Sequence, residues 1–169
     1  MDKMELTQRK RNRLKCYDYS KPGAYFVTVC TKDRREILST VVGDGVLDVP
    51  KTVLTDYGTV AEKYIINIDV LYNSISIPEY VIMPNHIHMI IIVNDSGGMS
   101  GTPSPTNATI PFIVSTLKRL CAKEIGQDIF QRSYHDHIIR NRESYQKIRK
   151  YIRDNPKTWE YDCFYTPQI

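Results

Sequence analysis

The sequence predicts one α+β domain in which an antiparallel sheet is flanked by helices. Segments of strand-like composition and segments with helical spacing of apolar residues follow one another as strand, helix, two strands, helix, strand, helix. A chain of 169 residues with 41% hydrophobic content can bury one core and is too short for two independent domains. We therefore expect residues 1–169 to form a single domain.

The first strand is predicted over residues 24–30, where aromatic and β-branched residues follow a Lys-Pro-Gly turn signal. Its composition suits a central position in the sheet. Residues 40–50 contain a Gly-Asp-Gly sequence between short apolar pieces, which predicts a small hairpin or an irregular excursion. A helix is predicted over residues 55–68, and Thr55 or Asp56 can cap its start.

Two neighbouring strands are predicted over residues 75–83 and 87–93, because two apolar runs are joined by a short Pro-Asn-His connection. Residues 94–109 are rich in Gly, Ser, Pro and Thr, which predicts a flexible loop. A helix is predicted over residues 110–125, with proline in its first turn and Gly126 after its end.

The last part of the chain predicts a strand over residues 129–139 and a helix over residues 143–153. Asn141 or Ser144 can cap this helix, and the Asn-Pro sequence after it is expected to stop it. Helices packed on an antiparallel sheet in this order predict a ferredoxin-like arrangement.

Composition makes several classes of protein unexpected. The basic N-terminal segment has no apolar stretch behind it, so no secretory signal is expected, and no apolar run is long enough to cross a bilayer. Four cysteines are widely scattered without a Cys-x-x-Cys pair, which fits neither a zinc knuckle nor a dense disulfide scaffold. We expect a cytoplasmic protein without a membrane partner.

Basic residues are concentrated in two places. The net charge is +4, and the basic arm, residues 1–15, carries an equal excess. A second cluster near the C-terminus mixes basic residues with tyrosines, which suits phosphates and unstacked bases. Basic helices are often only solvated surfaces, so both interpretations stay open. The candidate nucleic-acid contacts are Arg11, Arg13, Lys15, Arg149, Lys150 and Arg153.

His86 and His88 are the first candidate residues for a metal site. On a strand this spacing places both imidazoles on one face, while Ile87 between them enters the core. Imidazole is the commonest metal-binding side chain, but two nitrogens hold a labile divalent cation poorly without a third ligand. Taken alone, such a pair is more often two half-exposed polar residues.

The predicted last helix can supply the missing groups. Tyr151 and Asn155 are four residues apart and share one face if the final turn persists. The Asn155 amide oxygen can complete a two-histidine site for Mg²⁺ or Mn²⁺ and leave positions for a phosphate oxygen. The Tyr151 phenol would then lie beside that phosphate as a nucleophile. The alternative is that Tyr151 belongs to the apolar stripe of the helix.

These segments resemble a known family. VIMPNHIHMIIIV resembles the histidine–hydrophobe–histidine (HUH) motif of the single-tyrosine transposases. RSYHDHIIRNRESYQKIRKYIRDNPKTWEYD resembles the C-terminal signature of the REP-associated tyrosine transposases, and YFVTVCTKDRR near the start matches as well. The resemblance spans residues 13–162. It implies an antiparallel sheet flanked by helices, a divalent metal, and an endonuclease and strand transferase that acts on single-stranded DNA with short imperfect hairpins.

The resemblance also implies residue roles. His86 and His88 match the metal-binding pair, and Tyr151 matches the tyrosine that attacks DNA, leaving a 5′-phosphotyrosine link and a free 3′-hydroxyl. Asn155 stands where related single-tyrosine transposases have a glutamine as third ligand. Tyr145 is the competing nucleophile, but it is offset from Tyr151 by about 240° around the helix, so that both cannot face the metal.

Two other functions stay open. The same sheet and basic helix could hold a hairpin without cutting it, and asparagine at position 155 favours such a non-catalytic binding protein. A metal-dependent hydrolase that uses water as its nucleophile would survive replacement of Tyr151 by phenylalanine. The resemblance implies monomers or homodimers, associated with the nucleoid when bound to DNA.

Four further residues have two interpretations each. His135 and His137 repeat the alternating pattern on a predicted strand, and we expect one of them near the sheet of the active site, in contact with DNA and not with metal. Trp159 and Tyr161 could stack on a base, although packing over the core is the commoner role of such aromatics.

Overall fold

The computed structural model of the protein describes residues 18–19, 21–43, 49–94 and 109–165. The predicted basic arm, with Arg11, Arg13 and Lys15, lies outside the described residues. Nearly all of the predicted loop 94–109 lies outside them as well.

The described residues form six strands and three α helices. In chain order they are β1 (Gly23–Cys30), β2 (Ser39–Val42), β3 (Lys51–Leu54), α1 (Asp56–Leu71), β4 (Ile75–Ile82), β5 (His86–Val93), α2 (Ile110–Ile125), β6 (His135–Ile139) and α3 (Arg142–Asp154).

The main sheet has the strand order β4-β5-β1-β6, and every neighbouring pair is antiparallel. Strands β2 and β3 form a separate hairpin between β1 and α1. Without this hairpin, the elements alternate as β1-α1-β4-β5-α2-β6, which is the ferredoxin-like order. The predicted α+β class, the central position of β1 and the pairing of β4 with β5 are confirmed.

Helix starts follow local capping chemistry. The Thr55 hydroxyl accepts a hydrogen bond from the Gly58 N–H at 3.2 Å and begins α1. At α3, Asn141 is the cap of the two that the sequence allowed, because its side-chain oxygen accepts from the Ser144 N–H at 2.8 Å. Helix α2 ends at Gly126, whose φ of 83° is left-handed and favours glycine.

The two faces of the main sheet are covered by different helices. Val27, Ile87 and Met89 are fully buried on the face that α1 and α2 cover. On the other face, Ile152 of α3 packs in a smaller apolar cluster with residues of β5 and β6. Strand β5 is therefore buried on both faces, which explains its nearly uninterrupted apolar sequence.

One boundary differs clearly from the sequence predictions. The strand predicted over residues 129–139 exists only as His135–Ile139. Before it, Phe130 forms only an isolated bridge with Thr31, and the Gln131 N–H donates to the Cys30 carbonyl at 2.9 Å. The carbonyls of Gln131 and Ser133 accept hydrogen bonds from the Lys118 ammonium, at 2.7 and 2.9 Å.

Helix α3 ends at Asp154, directly before the Asn-Pro sequence that was predicted to stop it, so this stop is confirmed. Asn155 precedes Pro156 but keeps a helical backbone, with φ −55° and ψ −42°. The chain then continues through an irregular 3-10 helix, Asn155–Tyr161. We call residues 155–165 the C-terminal segment. Among the described residues, no helix is both long enough and apolar enough to span a membrane.

Candidate metal and nucleophile site

His86 and His88 lie on β5, on the face of the sheet that α3 covers. Their ring centroids are 4.3 Å apart, and the two residues are 0% and 1% exposed. Ile87 between them packs into the opposite core. The predicted common face is therefore confirmed, but both imidazoles are fully buried and not half-exposed.

The hydrogen bonds around His86 fix its tautomer. The Asn85 amide donates to the Phe164 carbonyl at 2.8 Å, so the Asn85 side-chain oxygen is turned toward His86. This oxygen only accepts, and it lies 2.9 Å from His86 Nδ1, which must carry the proton. His86 Nε2 is then unprotonated and carries a lone pair. This nitrogen is buried and has no hydrogen-bond partner among the described residues. An unpartnered buried acceptor of this kind is typical of a ligand site.

His88 is held from a neighbouring strand. Its Nδ1 lies 2.8 Å from the Thr28 hydroxyl, and Thr28 is the residue of β1 directly opposite His88. The other nitrogen, Nε2, lies 3.3 Å from the Tyr151 hydroxyl. Thr28 therefore contacts Nδ1 only, and Nε2 is the His88 nitrogen that faces Tyr151.

Asp162 completes the cluster, and sequence reasoning missed it. His86, His88 and Asp162 each offer one potential ligand atom, and these three atoms lie within 4.8 Å of one another. Asp162 reaches this place through the irregular path of the C-terminal segment, which no periodic pattern predicts. Its position as the last residue of the C-terminal signature is the one signal that could have singled it out.

Tyr151 and Asn155 meet at the same carboxylate. The Tyr151 hydroxyl donates to Asp162 Oδ2 at 3.1 Å, and the Asn155 amide donates to it at 2.9 Å. Their predicted common face is confirmed by this geometry. The Asn155 side-chain oxygen is buried without a hydrogen-bond partner among the described residues. Tyr145 packs instead against the apolar cluster beneath α3.

Burial controls the charge states of the site. Desolvation lowers the pKa of His86 to about 4 and the pKa of His88 well below its usual value. Both imidazoles are neutral at pH 7, the form that binds metal. Burial, and then the neighbouring Asp162 carboxylate, raise the pKa of Tyr151. For Asp162, burial acts to raise the pKa, but hydrogen bonds from a backbone N–H and an amide outweigh it and hold the pKa below the usual value.

The donor set fits a divalent cation. Two neutral imidazoles, one carboxylate and one unpartnered amide oxygen combine nitrogen and oxygen ligands in a small buried space. Asn85 and Thr28 orient the two rings, as the outer partners of metal-binding histidines commonly do.

Aromatic side chains of the C-terminal segment cover the histidines. The Phe164 ring centroid lies 4.6 Å from that of His86, and the Trp159 centroid lies 5.9 Å from it. The Arg34 guanidinium lies over the Phe164 ring and donates to the Cys163 carbonyl at 3.1 Å. These side chains therefore help to shield the histidines from solvent.

The predicted DNA contacts on α3 fall into two groups. Arg149 and Arg153 both bind the Glu79 carboxylate of β4, the latter at 2.6 Å. Lys150 is exposed. Contact of these three residues with DNA stays a prediction.

Comparison with known proteins gives a family and a fold. No family model matches the chain. An uncharacterised protein of Haemophilus influenzae is 33% identical over 177 residues, which cover 95% of this chain and 94% of that protein. This chain and that protein belong to one family.

A solved structure agrees with the sequence resemblance. It is a REP-associated tyrosine transposase bound to a REP hairpin, 21% identical, with a TM-score of 0.62 over 89% of this chain and 76% of that chain. The chain has the fold of the REP-associated tyrosine transposases. A putative transposase of Deinococcus radiodurans aligns at 16% identity and a TM-score of 0.46, over 84% of this chain and 95% of that one.

Proposed function

We propose that this protein is a metal-dependent, single-tyrosine transposase or endonuclease that cuts and rejoins single-stranded DNA beside hairpins. The observation that carries the proposal is the convergence of the Tyr151 hydroxyl, the two histidines and Asp162 in one small space. The shared fold with a transposase solved on a REP hairpin supports hairpin DNA as the partner. We expect it to act as a monomer or homodimer on nucleoid DNA in the cytoplasm.

Residues from two parts of the chain, strand β5 and the C-terminal segment, would hold Mg²⁺ or Mn²⁺. His86 and His88 would give Nε2 atoms, with Asn155 or Asp162 as the third ligand. A bound cation would polarise the scissile phosphate and stabilise the charge that develops on it. Asn85 would keep the His86 imidazole in the required tautomer, and Thr28 would orient the His88 ring.

Tyr151 would perform the cleavage step. Its hydroxyl oxygen bonds to phosphorus while the bond from phosphorus to the 3′-oxygen breaks. The phenol proton leaves toward Asp162, which already accepts its hydrogen bond, and the 3′-oxygen takes a proton from water. The 5′ end stays on Tyr151 as a phosphodiester, so attack by a 3′-hydroxyl rejoins the strand without ATP.

A non-catalytic hairpin-binding protein is the second candidate. The observation that favours it is the complete burial of both histidines beneath Phe164, which leaves no path for a phosphate in this conformation. Under this alternative the sheet and α3 hold DNA, and the histidine cluster is only part of the core.

A covalent-adduct assay separates these functions. A labelled single-stranded hairpin oligonucleotide is incubated with Mn²⁺ or Mg²⁺, and adducts that survive denaturation are resolved on a gel. We expect adducts with wild type and with Tyr145→Phe, and a loss of roughly 10³-fold or more with Tyr151→Phe. Tyr145→Phe is the matched control, because it removes the same hydroxyl six positions earlier on α3.

Three results would contradict the proposal. Hairpin binding without any adduct would favour the binding protein. Cleavage that survives Tyr151→Phe would indicate water as the nucleophile. Loss of the adduct only in Tyr145→Phe would move the nucleophile to that residue.

A further inference from the structure

Arg34 lies in a strained turn just after β1. Asp33 and Arg34 both have left-handed backbone angles, with φ of 54° and 53°, and no other non-glycine residue among those described has a positive φ. Such a conformation costs free energy, persists only where its surroundings hold it, and is concentrated at functional sites. Here the fully buried Thr31 helps to hold the turn, because its hydroxyl donates to the Arg35 carbonyl at 2.8 Å.

The Arg34 side chain contacts the C-terminal segment. Its guanidinium donates to the Cys163 carbonyl at 3.1 Å and lies 5.1 Å from the centroid of the Phe164 ring. Within the described part of the chain it forms no salt bridge with a carboxylate. A planar guanidinium can lie over a ring and donate hydrogen bonds at the same time. These two contacts join the turn after β1 to the C-terminal segment.

The backbone of residues 162–164 connects this contact with the candidate metal site. The Phe164 N–H donates to Asp162 Oδ1 at 2.8 Å, so the residue that lies beneath Arg34 also holds the carboxylate. The Asn85 amide donates to the Phe164 carbonyl at 2.8 Å and holds the same residue from β5. Phe164 is therefore fixed by Arg34 and Asn85 together, and it in turn fixes Asp162.

We propose that Arg34 is a positioning residue, which keeps Asp162 within ligand distance of His86 and His88 through Cys163 and Phe164. The inference rests on the proposed function and deepens it, because it makes Asp162 a ligand of the cation and explains what holds this ligand in place. Ligands that are held in position by outer contacts bind an ion more tightly than mobile ones, since less freedom is lost on binding.

The charge of Arg34 by itself would have the opposite effect. The guanidinium and the His86 ring both lie against the Phe164 ring, at 5.1 and 4.6 Å from its centroid. A positive charge so close to the site repels a metal cation. Loss of the charge should therefore strengthen Mn²⁺ binding, whereas loss of the contacts with Cys163 and Phe164 should weaken it. The sign of the change distinguishes the two effects.

Isothermal titration calorimetry of the intact chain with Mn²⁺ measures this sign. Arg34→Ala should weaken Mn²⁺ binding about 10-fold, because Asp162 is no longer held beside the histidines. Arg35→Ala is the matched control, since it removes the same charge one residue later. The Arg35 side chain has no hydrogen bond or salt bridge to any other described residue, and we expect a change of less than about twofold. Unchanged or tighter binding in Arg34→Ala would overturn the inference.

A double-mutant cycle tests whether Arg34 acts through Asp162. Asp162→Asn removes the charged ligand and should weaken Mn²⁺ binding in its own right. In that protein the further change Arg34→Ala should have less than about a twofold effect, because the ligand that it positions is already lost. The same 10-fold loss in both proteins, about 1.4 kcal/mol, would mean that Arg34 acts by another route and would overturn the inference.

Hydrogen exchange in the metal-free protein separates this inference from the proposed function. The exchange rate of the Phe164 amide, measured by NMR, reports on its bond to Asp162. We expect exchange about 10-fold faster in Arg34→Ala and unchanged in Arg35→Ala. Faster exchange in a protein whose wild type binds no Mn²⁺ would refute the metal centre but support the role of Arg34 in placing Asp162. Mn²⁺ binding by wild type without faster exchange in Arg34→Ala would refute that role and leave the proposed function in place.

Discussion

Two histidine pairs with the same spacing lie on one face of one sheet, and they differ in almost every other respect. Thr28 of β1 separates them, because it pairs with His88 on one side and with His135 on the other. His86 and His88 lie on the inner strand β5 beneath α3 and the C-terminal segment, and are fully buried. His135 and His137 lie on the edge strand β6 and are exposed.

The comparison shows that the spacing of two histidines does not by itself make a metal site. Burial keeps the β5 pair neutral, neighbouring side chains fix its ring orientation, and the C-terminal segment brings a carboxylate to it. For the β6 pair, no third histidine, cysteine or carboxylate lies within ligand distance among the described residues. Position in the sheet therefore decides which pair can hold an ion.

The largest expected effect tests this difference directly. His86→Ala should lower the affinity for Mn²⁺ by at least about 100-fold, because it removes a ligand and not only an outer partner. The same substitution at His137 should change the affinity by less than about twofold. Isothermal titration calorimetry with Mn²⁺ measures both. Similar losses in the two variants would contradict the assignment of the metal site to β5.

The sequence predicted the fold and the histidine face because both depend on short-range periodicity. Alternation along residues 87–93 fixes which side chains share a face, and the spacing and caps of α1 and α2 lie within their own segments. The relation of Tyr151 to Asn155 was predictable for the same reason, since one helical turn joins them.

The rest of the site depends on tertiary structure that no local pattern contains. Asp162 and Phe164 reach the histidines only because the chain continues beyond Pro156 as an irregular helix and folds back. Trp159 was a candidate for either base stacking or packing, and it is 8% exposed and packed beside His86. Tyr161, two residues later, is exposed, which no spacing rule predicts.

A smaller effect should follow from the partner of His88. Thr28→Val keeps the size of the side chain but removes the hydroxyl that lies 2.8 Å from His88 Nδ1. We expect Mn²⁺ affinity to fall about 10-fold, because the ring loses the contact that orients it. Thr28→Ser retains the hydroxyl and should restore most of the affinity in the same calorimetric titration. If serine is as defective as valine, Thr28 acts through packing and not through its hydrogen bond.

The smallest expected effect concerns the salt bridges that join α3 to β4, the edge strand opposite to the one that carries His135 and His137. Glu79 of β4 binds Arg149 and Arg153 of α3. Burial acts to raise the pKa of Glu79, but the hydrogen bonds from the two arginines outweigh it and lower the pKa. The stabilisation is therefore present above the pKa of an unfolded glutamate, about 4.3, and is lost as the pH falls through the lower folded value.

Glu79→Gln should consequently lower the Tm at pH 7 by about 2 °C or less, and the difference from wild type should disappear under acid conditions. Thermal melts at several pH values measure it. Glu143→Gln is the matched control, because it breaks an exposed pair with Lys147 on the same helix and should leave the Tm nearly unchanged. A difference that persists at low pH would mean that Glu79 stabilises α3 by shape and not by charge. In that case the ion pairs with Glu79 would contribute little stability, and Arg149 and Arg153 could leave them to contact DNA phosphates, as predicted from the sequence.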